Sequence, residues 1–174
     1  MAASPPTASD RPNTDGVIRE QTSEPGRADA FLPAPAVQNH SANLMPLPNG
    51  DLACVWFAGT QEGVPDISIW MSRLPNGSNT WSPPAQLSQD PSRSEQNPIL
   101  FNAPTGDLWL LHTAQEAGNQ DTSEVRYRAS TDDGKSPRRA EASRKRTNQA
   151  INNYSGKTVR LRDWMTRRGC GGFE

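Results

Sequence analysis

The chain has 174 residues, enough for one domain of ordinary size, yet only 33% are hydrophobic, against roughly 45–50% in typical globular domains, which excludes a large single core. Pro 16 and Gly 13 call for many turns, and no stretch approaches the roughly 18 apolar residues of a membrane-spanning helix. The net charge of −1 conceals two unlike parts: residues 1–136 carry 8 Lys and Arg against 16 Asp and Glu, while residues 137–174 carry 10 against 3.

Residues 1–30 are rich in Ala, Ser, Pro and Thr and nearly devoid of aliphatic side chains, so they predict a disordered leader. They also lack the apolar run of a secretory signal, which favours a cytoplasmic setting. Cys54 and Cys170 lie far apart without CxxC spacing, so neither a disulfide framework nor a metal site is indicated, and no cofactor is implied.

From Phe31 to Ser136, short runs rich in Val, Ile and Trp alternate with Pro, Gly, Asn and Asp clusters. That texture predicts an all-β region, because the recurring prolines leave no window long enough for a helix. The first clear strand runs from Leu52 to Phe57. Leu52, Cys54 and Trp56 share one face and Ala53, Val55 and Phe57 the other, so both faces are apolar, as in a strand sandwiched between two layers. A second strand spans Asp66 to Ser72, and a turn at Gly77 follows.

The pattern then returns. Gly50-Asp51-Leu52 is answered by Gly106-Asp107-Leu108 at an offset of 56, the strand Asp66–Ser72 by Glu124–Ser130 at an offset of 58, and Gly77 by Gly134. A period of roughly 50 residues with several strands per unit is the signature of propeller blades, each too small to bury its faces alone. In the later strand Val125, Tyr127 and Ala129 share a face while Arg126 and Arg128 point away. Ser130-Thr131-Asp132-Asp133-Gly134-Lys135-Ser136 reads S-x-D-x-G-x-S, a hairpin in which Ser and Asp bond turn amides and Gly supplies positive φ. The first repeat holds a degenerate version, Ser72 to Trp81, that lacks the Asp and keeps a closing Trp. After Ser136 the next residue is Pro137, and that aromatic anchor is missing.

These motifs resemble the Asp-box (bacterial neuraminidase) repeats of the sialidase superfamily. The resemblance covers about residues 30–136 and rests on Ser130–Ser136, Arg93–Pro98, Gly106–Leu110, His40–Leu44 and Gly59–Gly63. It implies a partial six-bladed β-propeller of about two four-stranded antiparallel blades, related to exo-glycosidases that cleave terminal sialic-acid-like sugars. The departures imply a chain without that catalysis. Family members open the first blade with an Arg of the triad that grips the substrate carboxylate; here Asn39-His40-Ser41-Ala42-Asn43 carries none. The nucleophilic Tyr belongs to later blades, and neither Tyr127 nor Tyr154 matches its place.

The resemblance further implies an active face opposite the Asp-box hairpins. The family's acid/base carboxylate falls in the loop Gly59 to Asp66, which makes Asp66 and Glu62 the catalytic candidates. Asp66 also has a plain reading as a turn cap. His40, Asn43, Arg93, Glu95, Asn97, Gln120 and Asp121 are the substrate-binding candidates. Arg93 serves equally well as an ion-pair partner of Asp90 or Glu95. His112 reads as a hydrogen-bonded strand residue, and the four tryptophans from Trp56 to Trp109 as packing residues.

Residues 137–174 share nothing with the repeat and begin inside an Asp-box, which reads as an out-of-frame or unspliced continuation of a truncated propeller. The alternative is a basic arm for nucleic acid. The expected partners are a glycan and, through an open blade edge, a second copy of the chain; a non-catalytic glycan-binding module is the rival function.

Overall fold

The structure is a computed structural model that describes residues 13–135 and the backbone of 141–144. A short antiparallel hairpin, β1 (Arg19–Glu20) and β2 (Ala28–Asp29), precedes two four-stranded sheets. The first sheet runs β3 (Gln38–Pro46), β4 (Leu52–Gly59), β5 (Ser68–Leu74) and β6 (Ala85–Gln86); the second runs β7 (Arg93–Asn102), β8 (Leu108–Glu116), β9 (Asn119–Ser130) and β10 (Glu141–Arg144). Each is an antiparallel meander in chain order. The described residues contain no helix, as the proline spacing requires. The fold is a partial β-propeller of two blades.

Both faces of β4 are buried, as its sequence demands. Ala53, Val55 and Phe57, with Ile69 and Met71 of β5, pack against Leu100, Leu108 and Leu110 of the second sheet and form the main core. The opposite face, Cys54, Trp56 and Ala58, meets Trp70, Trp81, Leu32 and Ala36. Within the stretch 1–30, expected from its composition as a disordered leader, residues 13–30 are described and carry β1 and β2. Those residues are held chiefly by backbone pairing rather than by apolar burial: Gly16 N donates to Phe31 O (3.0 Å), Ile18 N to Asn79 O (2.8 Å) and Trp81 N to Gly16 O (2.9 Å). Composition reports the burial a segment can supply by itself and is blind to hydrogen bonds offered by a preformed edge. Gly16 has φ +74, and a Cβ there would stand 3.2 Å from Trp81, so this close approach requires glycine.

Part of the tail joins the second sheet. β10 pairs with β9 through Glu141↔Tyr127 and Arg144↔Val125, taking the fourth-strand place that β6 holds in the first sheet. Residues 1–12, 136–140 and 145–174 lie outside the described residues, and with them most of the basic tail.

The ladders fix the repeat. Cys54 pairs with Ser72, and Leu110 with Arg128, so β5 and β9 are related by 56 residues, like β4 and β8. The offset of 58 obtained by matching serines is a slip of two, which leaves every side chain on its correct face. Each inner strand carries one bulge: residues 41 and 42 oppose Trp56, and residues 97 and 98 oppose His112. The first residue of each bulge is left-handed, Ser41 at φ 53 and Asn97 at φ 52, as in bulges that begin in the αL region. The Asp-box turn is built as its sequence predicts. Ser130 Oγ accepts from Gly134 N (2.7 Å) and donates to Asp132 Oδ1 (2.6 Å).

Candidate functional site

The meander sends alternate connections to opposite ends of the sheets. One end carries the Asp-box hairpins and is tied by Asp51, which accepts from Asn76 N (2.9 Å) and from Arg73 Nη1 (2.9 Å); Arg73 Nη2 in turn donates to Asp133 O. The Asn76 amide and the Arg73 guanidinium hold the Asp51 carboxyl down at about 2. The other end gathers the start of β3, the loop between β4 and β5, the start of β7 and the tip of the β8–β9 hairpin. Gly118 N donates to Gly63 O (3.0 Å) and joins the two loop tips into one rim.

The residues expected to act on a sugar distribute over this rim and beneath it. Asp66 is exposed, and both its oxygens accept from Thr60 N (3.3 and 3.2 Å), the turn-capping role. Gly59 makes room for it: a Cβ there would stand 2.8 Å from Asp66 Oδ1. Glu62 is exposed, with its backbone N donating to Gln38 Oε1 (2.7 Å). His40 stacks on Phe57, ring centroids 5.5 Å apart, and keeps its own surface in solvent. Asn97 donates to Thr113 Oγ1 (3.3 Å) and meets Ser41 Oγ at 3.5 Å. Gln120 and Asp121 are exposed at the hairpin that opens β9.

Three candidates do structural work. Asn43 Oδ1 accepts from Leu100 N (2.9 Å) and stitches the inner strands together. Arg93 pairs with Glu116 (3.5 Å) and Glu124 (3.9 Å), rather than with Asp90 or Glu95, and donates to the carbonyls of Ala114 and Thr122. Glu95 is only 2% exposed and is bonded to His112, itself 2% exposed, at 3.1 Å. A carboxylate accepts, so the tautomer with hydrogen on Nε2 suits this pair.

The Glu95–His112 pair is part of a polar cluster between the blades that sequence reading missed. Arg126 bonds Asp90 (2.7 Å) and Glu124 (2.7 Å) and lies 3.6 Å from Glu95. Burial alone would raise the Asp90 carboxyl, but hydrogen bonds from Ser92 and Arg126 outweigh it and hold it at about 2. A signal was present in the alternation of β8, where Leu108, Leu110, His112 and Ala114 all face the first sheet. A histidine on that stripe needs a polar partner across the interface. The tryptophans pack as expected: Trp109 stacks on Tyr127 at 5.1 Å and 11°, on the face turned away from the first sheet.

A sequence model for the BNR repeat-like domain matches residues 50–157, more than half of the chain. Among solved structures 26 chains are similar. One is the Hadza microbial sialidase Hz136, at 14% identity and a TM-score of 0.51, covering 63% of this chain and 26% of that one. At this identity the likeness is one of fold, and the chain spans about a quarter of that sialidase. No curated protein matches the chain.

Proposed function

The chain belongs to the BNR repeat-like domain family, and from that footing we propose that its two blades form a sialidase-like carbohydrate-recognition surface that binds sugar without hydrolysing it. The observation that carries the reading is the state of the rim carboxylates. A general acid in glycoside hydrolysis needs a carboxyl group in a partly desolvated pocket, paired with a second group across the scissile bond. Asp66 and Glu62 stand in solvent, Asp66 occupied with Thr60 N. Glu95, the most deeply buried of the candidate carboxyls, is enclosed with His112. What the rim does present is polar and exposed: His40 on its Phe57 support, Asn97, Gln120 and Asp121. An imidazole with amide and carboxylate groups suits sugar hydroxyls.

Titration of the chain with sialyllactose, followed by NMR shifts, should show saturable binding in the millimolar range, about −4 kcal/mol. His40→Ala should weaken it several-fold, and Asp66→Asn should leave it intact. Release of fluorophore from an umbelliferyl sialoside should stay at the buffer rate. Turnover that disappears in Asp66→Asn would overturn the non-catalytic reading, and the absence of saturable binding would overturn the glycan reading. The face of the second sheet turned outward leaves Ile99 55% and Val125 43% exposed. We propose it as the surface for self-association, read as a sedimentation coefficient that rises with concentration and falls back in Val125→Lys.

A further inference from the structure

Between the two sheets, on the side of the Ser130 hairpin, lies an open pocket of about 230 Å³. That is below the roughly 300–1,000 Å³ of sites for drug-sized ligands and leaves room for one small ring system. Its walls are apolar, with Met71 and Leu87 on one side and Leu100, Leu108 and Leu110 on the other, and Arg128 and Lys135 supply two cations.

The repeat says what shape fits there. In the first sheet Trp81 follows the turn glycine, Gly77, by four residues and packs on the face that carries Cys54. The ladder equivalent of Cys54 is Leu110, on the corresponding face of the second sheet, and Leu110 lines the pocket. After Gly134 the sequence reads Lys135-Ser136-Pro137-Arg138-Arg139 and supplies no aromatic before Tyr154. The wall against which an indole packs in one blade therefore recurs in the next without its indole in the sequence of the turn.

A second observation gives the ligand its charge. Arg128 Nη1 donates to Leu87 O, but Arg128 Nε is buried and has no hydrogen-bond partner among the described residues. A buried donor left unpaired is costly, and an anionic oxygen is its strongest acceptor. We propose that this pocket binds a small planar aromatic carboxylate, its ring held between Met71 and Leu110 as Trp81 is held in the first blade, and its carboxylate accepting from Arg128 beside the charge of Lys135. The site is separate from the glycan rim and does not depend on that reading.

Calorimetric titration of the full chain with indole-3-acetate, indole and acetate tests this. Saturable binding of indole-3-acetate is expected, about ten-fold tighter than indole, with none for acetate. Ala85→Trp, which places bulk at an exposed lining position, should abolish binding of both ring compounds. Lys135→Met, also exposed and therefore harmless to the fold, should weaken indole-3-acetate several-fold and leave indole unchanged; Arg128→Met should do so more strongly in samples whose circular dichroism is native. No saturable binding at millimolar concentration, equal affinity for indole and its acetate, or undiminished binding by Ala85→Trp would each overturn the proposal.

Discussion

Replacing Arg126 by methionine should destabilise the chain by about 3 kcal/mol at neutral pH, the order found when one partner of a buried ion pair is removed and its carboxylates stay behind. Asp90 and Glu124, each 2.7 Å away, and Glu95 at 3.6 Å all lose the Arg126 charge at once, while Glu124 keeps Arg93 at 3.9 Å. For a domain whose total stability is about 5–15 kcal/mol, that is a large part of the whole. The effect has a pH signature. The Asp90 carboxyl sits at about 2 in the folded chain against an ordinary 3.8, so its stabilisation is present above the ordinary value and is lost as pH falls through the folded one. Urea melts of the wild type and of Arg126→Met should therefore differ most at neutral pH and converge as pH falls below about 4 towards 2. A gap independent of pH would show that Arg126 contributes by packing its stem alone.

Phe57→Ala should be worse. Phe57 is 1% exposed, at the centre of the interface between the sheets, and its ring also supports His40. Truncating a buried phenylalanine costs about 3–5 kcal/mol, enough to leave much of the population unfolded at 37 °C, seen as loss of the cooperative thermal transition. Phe57→Leu should retain the fold at a cost of about 1–1.5 kcal/mol. The surviving protein should bind sugar less well, because the imidazole above the ring loses its flat support.

The long strands were legible because β4 and β8 state their own environment: apolar on both faces, each preceded by a Gly-Asp turn, and repeated at 56 residues. The Asp-box hairpin was legible because Ser130, Asp132 and Gly134 act on each other within five residues. What escaped depends on partners distant in sequence. Residues 13–30 and β10 carry no apolar rhythm and owe their order to edges that exist only after the sheets have formed. The Glu95–His112–Arg126 cluster joins three strands, and only the parity of His112 with Leu108 and Leu110 hinted at it. For the rim, sequence placed Asp66 in the loop between β4 and β5, but whether its oxygens face a sugar or a turn amide is decided by the path from Gly59 to Asp66. Motifs give the position of a carboxylate, and its occupation is a matter of local hydrogen bonding.

The bulges at Ser41 and Asn97 have a further consequence for how the molecule tolerates change in length. In a regular strand two residues five apart face opposite ways, yet Glu95 and Leu100 lie on the same side of β7, opposite Ala114 and Leu110. The extra residue resets the phase of the strand. Above it the alternation delivers Glu95 to the polar contact with His112; below it the alternation delivers Leu100 to the apolar core. Deleting one residue at 97 or 98 would therefore act on facing as a frameshift acts on codons: everything on one side of the lesion would be misread, either a carboxylate driven into the apolar layer or a leucine turned out of it. A residue lost from one of the connecting turns shortens only that turn. At this point it would exchange the insides and outsides of half a strand.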